Sequence, residues 1–116
     1  MRNVNDYEVF KRSHQLTLDV YKKSKDFPKE EQYGLTSQIR RAAYSIPMNL
    51  KEGSAGTEAV FFRYVRIALG SKEELEYQLL LAKDLSYITQ EDWKRLTNEV
   101  KEIGKMLYGI VKNSGS

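Results

Sequence analysis

The sequence has no cysteine, two prolines and a single histidine among 116 residues. The lack of cysteine excludes disulfides and thiolate metal sites, and it suits a reducing compartment. Two prolines and seven glycines leave little room for strands linked by tight turns. The one histidine, His14, has Lys11 three positions before it, so the paired Glu-x-x-His motifs of a di-iron bundle are absent. Carboxylates alone are left as weak ligands for a hard cation. A serine nucleophile would have only His14 as its base, with nothing nearby in sequence to orient it. We therefore expect His14 to be a half-buried helix residue and the chain to be no enzyme, without metal or cofactor. Gly53-x-x-Gly56 lacks the lysine and hydroxyl that follow in a phosphate-binding loop. The longest aliphatic run, Leu79 to Ala82, is too short to cross a bilayer, and the N-terminus has no apolar core of signal-peptide length. A cytoplasmic protein with no membrane partner is the expectation.

What is present is helical periodicity. With 41% hydrophobic and 30% charged residues the chain reads as one domain, 1–116, which buries roughly two thirds of its unfolded surface. Four amphipathic helices are expected, at about 7–25, 35–52, 58–85 and 90–112, in an all-α, up-down-up-down four-helix bundle. Asp6 is placed to cap the first helix, with Phe10, His14, Thr17, Val20, Tyr21 and Ser24 facing inward. Phe27 and Pro28 stop it, and Lys29 to Gly34 form a charged connector.

The second helix is the packing centre. Leu35, Ile39, Ala42, Ala43, Ile46 and Leu50 line one face, and small Ala42 and Ala43 allow close approach of a neighbour. Pro47 falls inside this period and should bend the helix near Ser45 and Ile46, before Gly53 ends it in a left-handed terminus. Thr57 is placed to cap the third helix, in which Gly70 suggests close backbone packing or a slight bend. Thr89 and Asp92 form a capping box for the fourth, where Trp93, Leu96, Val100, Ile103, Leu107 and Ile110 make a coiled-coil-like seam.

Charge is segregated along the chain. Residues 33–72 hold six basic side chains (Arg40, Arg41, Lys51, Arg63, Arg66 and Lys72) against Glu52 and Glu58, a local +4. Residues 73–116 hold six basic and eight acidic, a local −2. One electropositive surface is implied, with those six residues as candidate phosphate contacts for RNA or DNA. Tyrosine beside arginine adds stacking chemistry, as at Tyr44 near Arg40 and Arg41, and at Tyr64 between Arg63 and Arg66. Tyr21, Tyr33, Tyr77 and Tyr108 are expected at the core margin or a subunit interface. Glu73, Glu74 and Glu76 spread around their helix, with Glu74 and Gln78 on one face, and are expected to pair with bundle arginines or a neighbouring subunit.

Two blocks of residues carry a resemblance. Tyr33-Gly34-Leu35-Thr36-Ser37-Gln38-Ile39-Arg40-Arg41-Ala42-Ala43 continues through Ser45-Ile46-Pro47, Asn49 and Glu52-Gly53. The second block comprises Arg63, Ile67-Ala68-Leu69-Gly70-Ser71, Glu74-Leu75-Glu76, Gln78-Leu79, Ala82 and Asp84-Leu85. In both, the chain resembles the four-helix bundle proteins encoded by 23S ribosomal RNA intervening sequences, the S23 family. Met48, Leu50 and Lys51 stand where that family usually has smaller or more apolar residues. The resemblance implies a homopentamer with no enzymatic activity. It also implies kinship with accessory proteins of diversity-generating retroelements, which bind a reverse transcriptase and nucleic acid. Two functions fit: a nucleic-acid-binding oligomer, or a scaffold whose basic face docks an acidic protein or a reverse transcriptase.

Overall fold

A computed structural model describes residues 2–114; Met1, Gly115 and Ser116, the ends of the expected domain, lie outside the described residues. A 3-10 turn at Val4–Asp6 leads into α1 (Glu8–Ser24), and a second, at Lys29–Glu31, leads into α2 (Leu35–Ser54). Helices α3 (Glu58–Asp84) and α4 (Gln90–Val111) complete the chain, and no strand occurs among the described residues. Each helix packs on its sequence neighbour, and α4 closes the ring against α1, which is the expected up-down-up-down bundle. The α2–α3 pair has the most extensive contact. The bundle measures 42 × 24 × 22 Å along its principal axes.

The inner faces follow the apolar periods closely in α2 and α4. Leu35, Ile39, Ala42, Ala43, Ile46 and Leu50 are all buried. So are Leu96, Val100, Ile103 and Leu107, while Trp93 and Ile110 pack at the margin of the core. In α1 the buried face is rotated from the expectation: it comprises Val9, Ser13, Leu16, Thr17, Val20 and Ser24, whereas His14 and Tyr21 are exposed. Ser13 and Thr17 fit inside because their hydroxyls donate to the carbonyls of Phe10, at 3.1 Å, and Ser13, at 2.8 Å. His14 instead lies parallel to Phe10 on the surface, with ring centroids 6.5 Å apart.

Caps set three of the helix starts. Thr57 Oγ1 accepts from Val60 N at 3.2 Å, and Thr89 Oγ1 accepts from Asp92 N at 3.0 Å, as their positions in the sequence suggest. Asp6 does not cap α1; it belongs to the preceding 3-10 turn, and Tyr7 occupies the cap position without a side-chain bond. The start of α2 is capped from the connector. Glu31 Oε1 accepts from Leu35 N at 3.0 Å, and Glu31 Oε2 accepts from Tyr87 Oη at 2.9 Å. These two bonds, the backbone one foremost, hold the Glu31 carboxyl below its ordinary value of 4.5. The stabilisation from this group is therefore present above that value and is lost as pH falls through the lowered one. After α3, Ser86 takes φ 65° and Tyr87 N reaches back to Ala82 O at 2.8 Å, a left-handed terminus built without glycine.

Two glycines depart from the expected packing. Gly53 is not a left-handed terminus: it is buried inside α2, and a Cβ there would stand 2.7 Å from Tyr64 Cβ and 3.3 Å from Phe61 Cα. It is a point of close approach between α2 and α3. Gly70, expected at a close packing contact or a slight bend, is exposed with nothing within 4 Å of a Cβ built on it, so it makes no such contact within the bundle.

Helix α2 runs unbroken through Pro47. Proline supplies no N–H to the carbonyl four residues back, that of Ala43. Thr17 Oγ1, from α1, lies 3.2 Å from Ala43 O in the buried interface, and its one hydrogen, shared with Ser13 O at 2.8 Å, is the donor offered to that carbonyl. The proline thus turns one helical carbonyl outward as an acceptor for the neighbouring helix. Thr17→Val, which keeps the shape and deletes the donor, is expected to destabilise the fold by about 1–3 kcal/mol in chemical denaturation. In a Pro47→Ala background Ala43 O regains its own helical donor, so the same Thr17→Val change should cost clearly less. Equal costs in the two backgrounds would show that the two groups are not coupled.

Candidate nucleic-acid interface

The six basic residues singled out by charge segregation are not brought into one patch. Arg41, on α2, and Arg63, on α3, are exposed, and neither has an ion-pair partner among the described residues. The Arg63 guanidinium lies 5.3 Å from the centroid of Tyr64, so the expected pairing of arginine with this ring is present. Lys51 turns toward the N-terminal segment, where Nζ donates to Asn5 Oδ1 at 2.9 Å and sits 5.8 Å from the Phe10 ring. Arg66 donates to Ser114 Oγ, just beyond α4.

Lys72 is neutralised. Its Nζ is 2.9 Å from Glu73 Oε1 and 2.9 Å from Glu76 Oε2, and its aliphatic stem lies over Gly104 of α4. Burial pulls the Lys72 pKa down, and the two carboxylates more than offset that, leaving it raised. Glu76 also meets Lys101 at 2.9 Å; burial raises its pKa, and the two lysines outweigh that and lower it. Glu73 and Glu76 are thus paired with lysines of their own bundle rather than with arginines, and Glu74 makes no ion pair among the described residues. Glu74 is exposed while Gln78 is buried, so the two do not act together.

Arg40 is held at the α1–α2 edge. Its Nε donates to Ser24 Oγ at 2.7 Å, Nη2 donates to Tyr21 O at 3.3 Å, and the guanidinium lies 4.7 Å from the Tyr21 ring centroid. The antiparallel register that sets Thr17 against Ala43 carries Tyr21 to Arg40 one turn further on. Tyr33 and Tyr44 line the same shallow groove of about 410 Å³. Sequence reasoning paired Tyr44 with this arginine and assigned Tyr21 and Tyr33 to the core margin or a subunit interface. Tyr21, Tyr33, Tyr77 and Tyr108 are all exposed on the single bundle, Tyr33 at 90%, so none of them fills its core margin. Only the register between α1 and α2 could have revealed the grouping, and no local pattern encodes it.

Ion pairs are distributed unevenly over the bundle. Arg12 binds Glu99 through both oxygens at 2.8 and 2.6 Å, and the bond to Glu99 raises the arginine's pKa. Lys23 meets Asp92 at 3.0 Å and lowers the aspartate's pKa. The remaining pairs join residues of α1, α4 and the second half of α3. Among the described residues, none involves α2 or the first half of α3. Arg40, Arg41, Lys51, Arg63 and Arg66 therefore keep their charge uncompensated by any paired carboxylate. No group of carboxylate or histidine side chains able to hold a metal ion occurs among the described residues. No helix among them is long and apolar enough to cross a membrane.

Comparisons with known proteins agree with this architecture. The sequence profile of the 23S rRNA-intervening sequence proteins matches residues 5–109. A crystal structure of a protein of unknown function from the S23 ribosomal protein family of Bacteroides thetaiotaomicron superposes with a TM-score of 0.83. The two chains are 30% identical over 90% of this chain and 96% of that one. No curated protein matches the sequence. The chain belongs to the 23S rRNA-intervening sequence protein family.

Proposed function

We propose that the protein is a non-enzymatic helical-bundle module that assembles into a closed homo-oligomer and holds RNA or DNA by its phosphate backbone. The observation that carries this reading is the segregation of ion pairs. Among the described residues, arginines 40, 41, 63 and 66 and Lys51 stand outside every ion pair, while most carboxylates of α1, α3 and α4 are engaged. Uncompensated cations on α2 and the first half of α3 attract a polyanion even when spread over the surface, and repetition around a ring multiplies that attraction. Contacts of this kind hold a strand without reading its bases, so sequence specificity is slight.

Assembly is supported by apolar surface that a single bundle leaves bare. Met48, Ile67 and Leu80 are between 37% and 48% exposed, and Tyr77 is 63% exposed. Exposed Gly70 leaves open backbone on α3 between Ile67 and Tyr77, where a second copy can approach closely. A pentamer is the assembly that the family resemblance implies. Light scattering on the purified protein at micromolar concentration should give a mass several times that of one chain. A monomer mass would remove the oligomer and its multiplied charge.

The binding surface is tested by reversing two exposed arginines. Arg41→Glu with Arg63→Glu should retain the helical circular dichroism of the wild type, because neither side chain supports the core. Binding to mixed-sequence RNA or DNA should weaken about tenfold or more at low salt. The slope of log affinity against log salt should flatten by about one unit per lost phosphate contact. Unchanged affinity would exclude this surface, and a wild type that binds no nucleic acid at low salt would overturn the nucleic-acid reading.

A further inference from the structure

The aromatic groove at Arg40 continues into a second one. The first, about 410 Å³, is lined by Tyr21, Tyr33 and Tyr44; the second, about 290 Å³, is lined by Lys25 and Lys29. Gln32, Thr36 and Arg40 belong to both, so the two form one trough across the α1–α2 edge with Arg40 at its centre. No carboxylate lines either half. Two other grooves of similar size differ in this respect: Glu76 lines the one between α3 and α4, and Asp26 and Asp92 line the one at the α3–α4 turn.

From this trough we infer a binding site for single-stranded nucleic acid, with bases stacked on Tyr33 and Tyr44 and phosphates held by Arg40, Lys25 and Lys29. The site rests on the nucleic-acid reading above and deepens it by naming the form of the ligand. Tyrosine rings offer a π-face to any unpaired base, whereas a duplex keeps its bases stacked on one another and presents only phosphate. Arg40 is already fixed by Ser24 Oγ, Tyr21 O and the Tyr21 ring. Those bonds use Nε and Nη2 and leave the Nη1 hydrogens uncommitted for a phosphate oxygen. Preorganisation of this kind lowers the ordering cost of binding. Lys25 and Lys29 are exposed and take part in no ion pair among the described residues, so a phosphate meets them without displacing a carboxylate. Tyr33, at 90% exposed, has no packing role within its own bundle.

The test is fluorescence anisotropy with a labelled single strand and, separately, a labelled duplex of the same sequence, at one fixed low salt concentration. The wild type should favour the single strand. Tyr33→Ala with Tyr44→Ala should weaken single-strand binding about tenfold or more, in the range typical of a lost base–aromatic stack, and leave duplex binding unchanged. Tyr33→Phe, which keeps the ring, should bind like the wild type. Circular dichroism and the oligomer mass check that the double variant is folded and assembled. Equal binding of strand and duplex by the wild type would overturn the site. So would a tyrosine double variant as tight as the wild type while Arg41→Glu with Arg63→Glu still abolishes binding; that result would leave the phosphate-binding surface standing. A wild type that binds neither probe would overturn both readings.

Discussion

The carbonyl of Ala43 is the acceptor on which the setting of α1 against α2 depends. Pro47 cannot donate to it, and a buried carbonyl without a partner costs on the order of 1–3 kcal/mol. Thr17 of α1 answers it at 3.2 Å. A hydrogen bond fixes distance and angle between named atoms, a directional constraint that adds to the close packing of the apolar side chains. With Thr17 opposite Ala43, Tyr21 and Ser24 fall opposite Arg40. At the other end of α2, Gly53 lets the backbone of α3 approach at Phe61 and Tyr64. Helix α2 is therefore located by a polar tie on one flank and by a missing side chain on the other. Its buried face is fully committed to the fold, and its polar face is left to carry charge.

The division of charge follows from that geometry. Lysines and glutamates along α3 and α4 meet across their interface, as Lys72, Glu76 and Lys101 do, and cancel locally. Arginines along α2 have no carboxylate opposite them: the adjoining part of α1 offers hydroxyl and carbonyl oxygen, and the first half of α3 has one acidic residue, Glu58. Exposed ion pairs contribute little to stability. Their uneven placement matters more for the field outside the protein, since compensated charges attract little and uncompensated ones reach over about a Debye length, roughly 8–10 Å in physiological salt.

The bundle was largely legible in the sequence because α2 and α4 carry clean apolar periods and Thr57 and Thr89 mark the starts of α3 and α4. The inward face of α1 was misread for a physical reason. Thr17, Val20 and Ser24 are buried as expected; His14 and Tyr21 look more core-like than Ser13, yet a small hydroxyl residue buries readily when a helical carbonyl accepts from it. The two glycines were misassigned because composition does not distinguish a residue small for its neighbour from one small for its own backbone. Of the candidate site, charge segregation located the cations on α2 and α3, and local order could not show that Lys72 is neutralised. The grouping of Tyr21, Tyr33 and Tyr44 around Arg40 depends on the helix register, and the register depends on Thr17 and Ala43.

The central claim is that α2 holds the fold with one face and a polyanion with the other. Hydrogen exchange of the assembled protein, with and without a saturating single strand, tests it most directly. The account predicts slowed exchange in the connector and along α2, the segment from Lys25 through Tyr44 above all, with α4 unchanged. Protection confined to α4 and the second half of α3, where the charges are already paired, would contradict it.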